Sequence, residues 1–243
     1  MTVVEHLDEL RRRLVISVAA VMVASIVGLV FSQWILDFLI DPYQDALRRL
    51  PEDVRPPGSL GQGLVFSGPA GGFVAILKVG FFSGFLLALP VVLYQTWRFV
   101  TPGLTSRERR LGIPFVLASM VLFAGGVAFA FAVLPTGLSF LLGFGGQNLV
   151  PLITTDRYLS FLIFLILGFG LSFELPVILI FLTGARIITS RQLRRWRRYA
   201  ALGTAIFAAI ATPTQDPYTM AIMWVALYIL YEGAILVARL MKR

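Results

Sequence analysis

Four runs of more than twenty residues, at about 14–36, 73–97, 111–134 and 159–182, hold only two ionisable acid or base side chains between them, Lys78 and Glu174. A hydrocarbon layer of about 30 Å is crossed by about 20 apolar helical residues, so each run is long enough to span a bilayer. Two shorter apolar stretches follow, 199–212 and 218 onward, the second uncharged as far as Glu232. Fourteen helical residues rise only about 21 Å, which predicts two short final spans and a thinned or wetted bilayer beside them. The alternative is a sixth span that continues to about residue 238, with Glu232 reaching the interface. Composition agrees with lipid as the solvent. Of 243 residues, 58% are hydrophobic and 14% charged, and the mean hydropathy is +0.84. Soluble domains carry about 25% charged residues.

The basic residues set an orientation. Arg11–Arg13, Arg98, Arg107, Arg109, Arg110, Arg186, Arg191, Arg194, Arg195, Arg197, Arg198, Arg239, Lys242 and Arg243 fall on one side of a six-span arrangement. Arg48, Arg49, Arg55 and Arg157 fall on the other. The excess predicts that the first side is cytoplasmic, with both termini there. The expected fold is therefore all-α integral membrane: six transmembrane helices in one membrane domain, with the last two spans short. Acidic residues precede the first arginines and the apolar run that follows is full length, so no cleavable signal is expected. Residues 37–72 are expected to form a Pro- and Gly-rich loop, Pro90 to kink the second span and Pro135 to end the third. The stretch 138–146 suggests a short re-entrant or interfacial helix. No internal repeat is visible, unlike many secondary transporters.

With no cysteine and a single histidine, His6, thiolate chemistry, His-based metal clusters and Ser–His catalysis are excluded. Phosphate loops and zinc-protease motifs are missing as well. An enzyme, a cofactor, a metal and a nucleic-acid partner are not expected. Interest falls on carboxylates in unusual places. Glu174, in SFELP, lies deep in the fourth span, where a carboxylate costs a few kcal/mol on insertion scales. Pro176 withholds the N–H that would bond to the Ser172 carbonyl, which favours local polarity. Glu174 is either a functional polar site or a structural partner of Gln95 or Lys78. Glu9 has the spacing to pair with Arg13 on a solvated helix face, and Thr105 with Glu108 forms a capping-box pattern. Both carboxylates are also suited to gripping guanidinium groups through paired charge-assisted bonds. Asp216 before Pro217 reads as a helix start.

Four motifs in order, HLDELRRRL at 6–14, LPVVLYQTWRFVTPGLTSRERR at 89–110, SFELP at 172–176 and TPTQDP at 212–217, resemble those of the TatC family. TatC is the multispanning core of the twin-arginine (Sec-independent) protein translocase. The resemblance covers almost the whole chain. It implies a receptor in the cytoplasmic (inner) membrane that binds twin-arginine signal peptides and helps folded proteins across, driven by the proton gradient. It also implies contacts from Glu9 and Glu108 to the paired arginines, with Arg11, Phe99, Pro102 and Leu104 shaping the site. Glu174 would line a water-accessible concave face, with Asp216, Glu232 and Pro176 as further motif positions. Single-span TatA-like and TatB-like subunits and membrane lipid would be the partners, in an oligomeric complex. The alternative function is a proton-coupled small-solute transporter using Glu174 and Lys78 as a buried pair.

Overall fold

The computed structural model describes residues 3–52, 55, 64–65, 68–100, 112–143, 153–212 and 217–240. Among these the regular structure is helical, apart from one isolated β-bridge between Val65 and Thr154. The helices are α1 (Val3–Val30), α2 (Ser32–Arg49), α3 (Gly71–Val100), α4 (Gly112–Gly143) and α5 (Thr155–Ser172). They continue as α6 (Leu175–Gly184), α7 (Ser190–Arg195), α8 (Arg197–Ala211) and α9 (Pro217–Leu240). With α5 and α6 taken as one rod, 5 helices are long and apolar enough to cross a membrane. The remaining candidate, α8, has 15 residues and rises about 22 Å.

Small residues bring α1 and α3 together. Gly80 and Gly84 are four apart on α3 and face Leu29 and Ser25, while Gly28 of α1 lies against Ser83 and the Gly80 carbonyl. Where lipid tails are as apolar as leucine, helices associate by close backbone packing, and small residues at this spacing permit it. The two interfacial hydroxyls bond within their own helices, Ser25 to the Val21 carbonyl at 2.8 Å and Ser83 to the Val79 carbonyl at 2.7 Å. The pairing therefore strands no polar group. The same device recurs at α4 and α5, where Gly126 abuts the Phe169–Gly170 backbone.

The main core lies between α2, α3, α4, α5 and α9, with Leu47, Leu134, Leu159, Leu162, Ile166 and Met223 almost wholly buried. Its lid is α2, which stands where a loop was expected. Leu39, Tyr43, Ala46 and Leu47 form its buried stripe, and Asp37, Asp41, Asp45, Arg48 and Arg49 are exposed. The prolines and glycines of 37–72 concentrate after residue 50, so averaging over the segment hides an amphipathic helix. The Arg55 guanidinium donates to the carbonyls of Leu47, Arg48 and Leu50 at 2.9–3.2 Å and closes the helix end. Tyr158 of α5 fastens α2 by donating to the Leu39 carbonyl at 2.7 Å.

Three further expectations are corrected. Pro135 does not stop the third span: α4 runs through it to Gly143, with Pro135, Leu138 and Leu142 buried in the core. The 138–143 stretch is thus the end of a 32-residue helix rather than a separate one. Only one member of the final pair is short: α9 has 24 residues and runs to Leu240, the length of the longer alternative. Glu232 does not end it. The carboxylate accepts from Arg197 at 2.5 Å, so its charge is paired within the protein.

Replacing Gly84 with leucine should drive α1 from α3 and lower the thermal midpoint in detergent by several degrees, an overpacking cost of about 1–3 kcal/mol. Gly233 has no neighbour within 4 Å of an added Cβ; the same change there should leave the midpoint unaltered, which a melting curve of each variant will decide.

Candidate functional site

At the end of the bundle that carries the N-terminus, α1 lies along the last turns of α3. The i,i+4 spacing puts Arg13 within 3.1 Å of Glu9 Oε1. The same guanidinium donates through Nη1 to Gln95 Oε1 at 3.1 Å, so one arginine bridges the two helices. The pair is not an ordinary solvated one: the Glu9 and Arg13 side chains are 16% and 14% exposed. Glu9 Oε2 and Arg13 Nε are buried and lack a hydrogen-bond partner among the described residues. A half-satisfied, desolvated carboxylate oxygen has capacity for one more charge-assisted bond.

Apolar surface flanks it. His6, one turn before Glu9, stacks on Phe99 with ring centroids 4.4 Å apart. Beneath Phe99, Trp97 packs on Phe115 at 4.5 Å and Phe181 at 5.3 Å, anchoring the ends of α3, α4 and α6 to each other. Arg98 sits over the Tyr94 ring at 5.8 Å, and Arg11 and Arg12 are exposed. The surface is basic apart from Glu5, Asp8 and Glu9. Gln95 is therefore not an intramembrane partner of Glu174; its amide oxygen is taken by Arg13.

Glu174 lies at the junction of α5 and α6. The first helix ends at Ser172 and the second begins at Leu175. Pro176, in the first turn of α6, has no N–H to bond to Ser172, which is where the ladder breaks. Glu174 is buried beside the Ser119 hydroxyl of α4, and among the described residues its Oε1 has no hydrogen-bond partner. Lys78 does not reach it. The ammonium donates to Asp156 Oδ1 at 2.5 Å and Ser160 Oγ at 2.7 Å. Asp156 precedes Glu174 by about 27 Å of helix rise. The Glu174–Lys78 pair on which a solute transporter would depend is not formed.

A family model described as "Sec-independent protein translocase protein (TatC)" matches residues 5–225. The chain belongs to the TatC family. The Sec-independent protein translocase protein TatC of Frankia casuarinae is 41% identical over 247 residues, covering 100% of this chain and 67% of the relative. That of Aquifex aeolicus is 37% identical, covering 100% of this chain and 97% of the relative. The crystal structure of the twin-arginine translocase receptor TatC superposes with a TM-score of 0.78 at 35% identity, covering 98% of this chain and 100% of that one. Family membership and the apolar helices make this a multi-pass membrane protein of the translocase family.

Of the residues that the resemblance singled out, Glu9, Arg11 and Phe99 share one end of the bundle; Pro102, Leu104, Glu108 and Asp216 lie outside the described residues. The structure adds Arg13 and His6 to this surface and moves Gln95 onto it. The i,i+4 spacing had signalled Arg13, but nothing local signalled a partner 82 positions away.

Replacing Arg13 with methionine leaves Glu9 and Gln95 without their donor. Stranding a buried carboxylate in this way costs about 3–5 kcal/mol, so the R13M protein should melt well below the R12M protein, whose side chain is exposed. Equal midpoints in a detergent melt would contradict the bridge.

Proposed function

We propose that this chain is the receptor and core subunit of a twin-arginine protein translocase. It crosses the cytoplasmic membrane six times, with both termini on the cytoplasmic side, the short α8 being one of the spans. Signal peptides bearing paired arginines dock at the end of the bundle where Glu9 lies, and TatA-like and TatB-like single-span subunits complete the machine. Folded passengers then cross at the expense of the proton gradient. The observation that carries this proposal is Glu9: a desolvated carboxylate with one oxygen held by Arg13 and the other without a partner.

A peptide guanidinium approaching Glu9 Oε2 gains a charge-assisted bond in a site from which water is already partly excluded. Phe99 and His6 offer ring faces on which an arginine plane stacks. Glu108 would grip the second arginine, and Arg11, Pro102 and Leu104 would shape the approach. The excess of Lys and Arg on this side supports the orientation. Glu174, buried with an open oxygen at a helix break, has a role in transport rather than in peptide capture.

Reversing Glu9 to lysine should abolish binding of a fluorescent twin-arginine peptide to the purified protein, measured by anisotropy. Arg→Lys changes in the peptide should weaken binding to wild type by about tenfold, since lysine lacks the planar fork. Affinity for the Glu9→Lys protein within two-fold of wild type at low salt, where charge effects are largest, would reject the site. Glu174→Ala should leave anisotropy unchanged but depress passage of a folded passenger into vesicles that also contain the partner subunits. Undiminished transport there would reduce Glu174 to packing.

A further inference from the structure

Lys78 has no part in signal-peptide capture, yet it lies within an apolar helix that also carries the α1 contact. Its pairing with Asp156 and Ser160 joins α3, two turns from its start, to the first turns of α5. The lysine and aspartate side chains remain 33% and 46% exposed. From this point a groove of about 550 Å³ extends between the two helices. Its walls are apolar, with Phe81, Phe85, Ile163, Phe164 and Leu167 prominent, and its polar lining is confined to Lys78 and Ser160. Phe81 and Phe164 are 44% and 50% exposed. The groove thus combines a phenylalanine-walled channel with a pair of opposite charges at one end.

Counting hydrogen-bond capacity shows what the mouth can still take. A lysine ammonium has three donors. Two are spent on Asp156 and Ser160, and one is left. Asp156 Oδ1 accepts from Lys78, while no hydrogen bond to Oδ2 is made among the described residues. Ser160 accepts from Lys78 and donates to the Asp156 carbonyl at 2.8 Å, so its proton is committed. The mouth therefore offers one cationic donor and one anionic acceptor side by side.

We propose that this groove binds a glycerophospholipid with a phosphoethanolamine headgroup. One acyl chain lies along Phe81, Phe85 and Phe164. The phosphate accepts the third Lys78 proton, and the headgroup ammonium donates to Asp156 Oδ2. The occupant is a lipid because the walls are apolar and open to the side, and because its two headgroup charges complement the pair at the rim. A phosphocholine headgroup carries the same charges but has no N–H to offer Asp156. A phosphoglycerol headgroup brings a net negative charge towards that carboxylate with no cation to compensate it.

The test begins in membranes. A benzoyl-phenylalanine placed at position 164 of the full chain should, on irradiation, give an intact-mass adduct of phosphatidylethanolamine. An adduct of protein mass, from a second copy or another subunit, would overturn the proposal. Purified protein should then be equilibrated with phosphatidylethanolamine, phosphatidylcholine and phosphatidylglycerol of identical chains and weighed by native mass spectrometry. Phosphatidylethanolamine should be retained about tenfold better than either of the others. Lys78→Gln should remove that preference. Phe164→Trp, which fills the groove but spares the ion pair, should lower retention of all three lipids while keeping the wild-type melting midpoint. Equal retention of the three headgroups, or full phosphatidylethanolamine retention by folded Phe164→Trp protein, would overturn it.

Discussion

Hydrocarbon offers no hydrogen bonds, and that constraint orders this molecule. Every polar group inside it must find a partner within the protein. The buried hydroxyls solve the problem locally: Ser25, Ser83, Ser172, Thr183, Thr204 and Thr212 each donate to the carbonyl four residues earlier. Such bonds let small polar residues line helix contacts at little cost, and they free glycines and serines to set the α1–α3 distance. Charges obey a different rule. In Glu9–Arg13, Lys78–Asp156 and Arg197–Glu232 each charge carries its compensation with it.

Glu174 departs from both solutions. It lies mid-rod, between α5 and α6, beside the buried Ser119 hydroxyl, with one carboxylate oxygen unpartnered among the described residues. The backbone is opened at the same point, because Pro176 cannot continue the ladder. A broken helix and a carboxyl oxygen without a partner thus coincide in the middle of the α5–α6 rod.

How far this was legible in the sequence depends on the range of each interaction. The apolar runs, the Glu9–Arg13 spacing and the break before Pro176 are local, and the sequence carries them openly. The failures have physical causes. The α2 stripe was averaged away with the prolines that follow it, and Pro135 was given a breaking power that it lacks where the surrounding helices hold the rod together. Gln95, Lys78 and Glu232 were misassigned for another reason. Their partners are 82, 78 and 35 positions away, and one sequence without its fold does not say which helices are neighbours.

If twin-arginine peptides dock as proposed, a basic surface has to capture a cationic peptide. Arg13 already occupies half of the Glu9 carboxylate and ties it to Gln95, so an incoming arginine would meet a group that is oriented but partly neutralised. Orientation lowers the entropic cost of binding; partial neutralisation lowers the electrostatic gain. With Arg11, Arg12 and Arg98 nearby, the long-range field opposes approach, and only contacts inside a Debye length favour it. On the proposed reading, selectivity would come from geometry at short range, from the open Glu9 oxygen and the ring faces of Phe99 and His6, with apolar sequence beyond the arginine pair adding to the affinity. A receptor built as proposed would read the pair without holding it tightly, and would let the peptide go again.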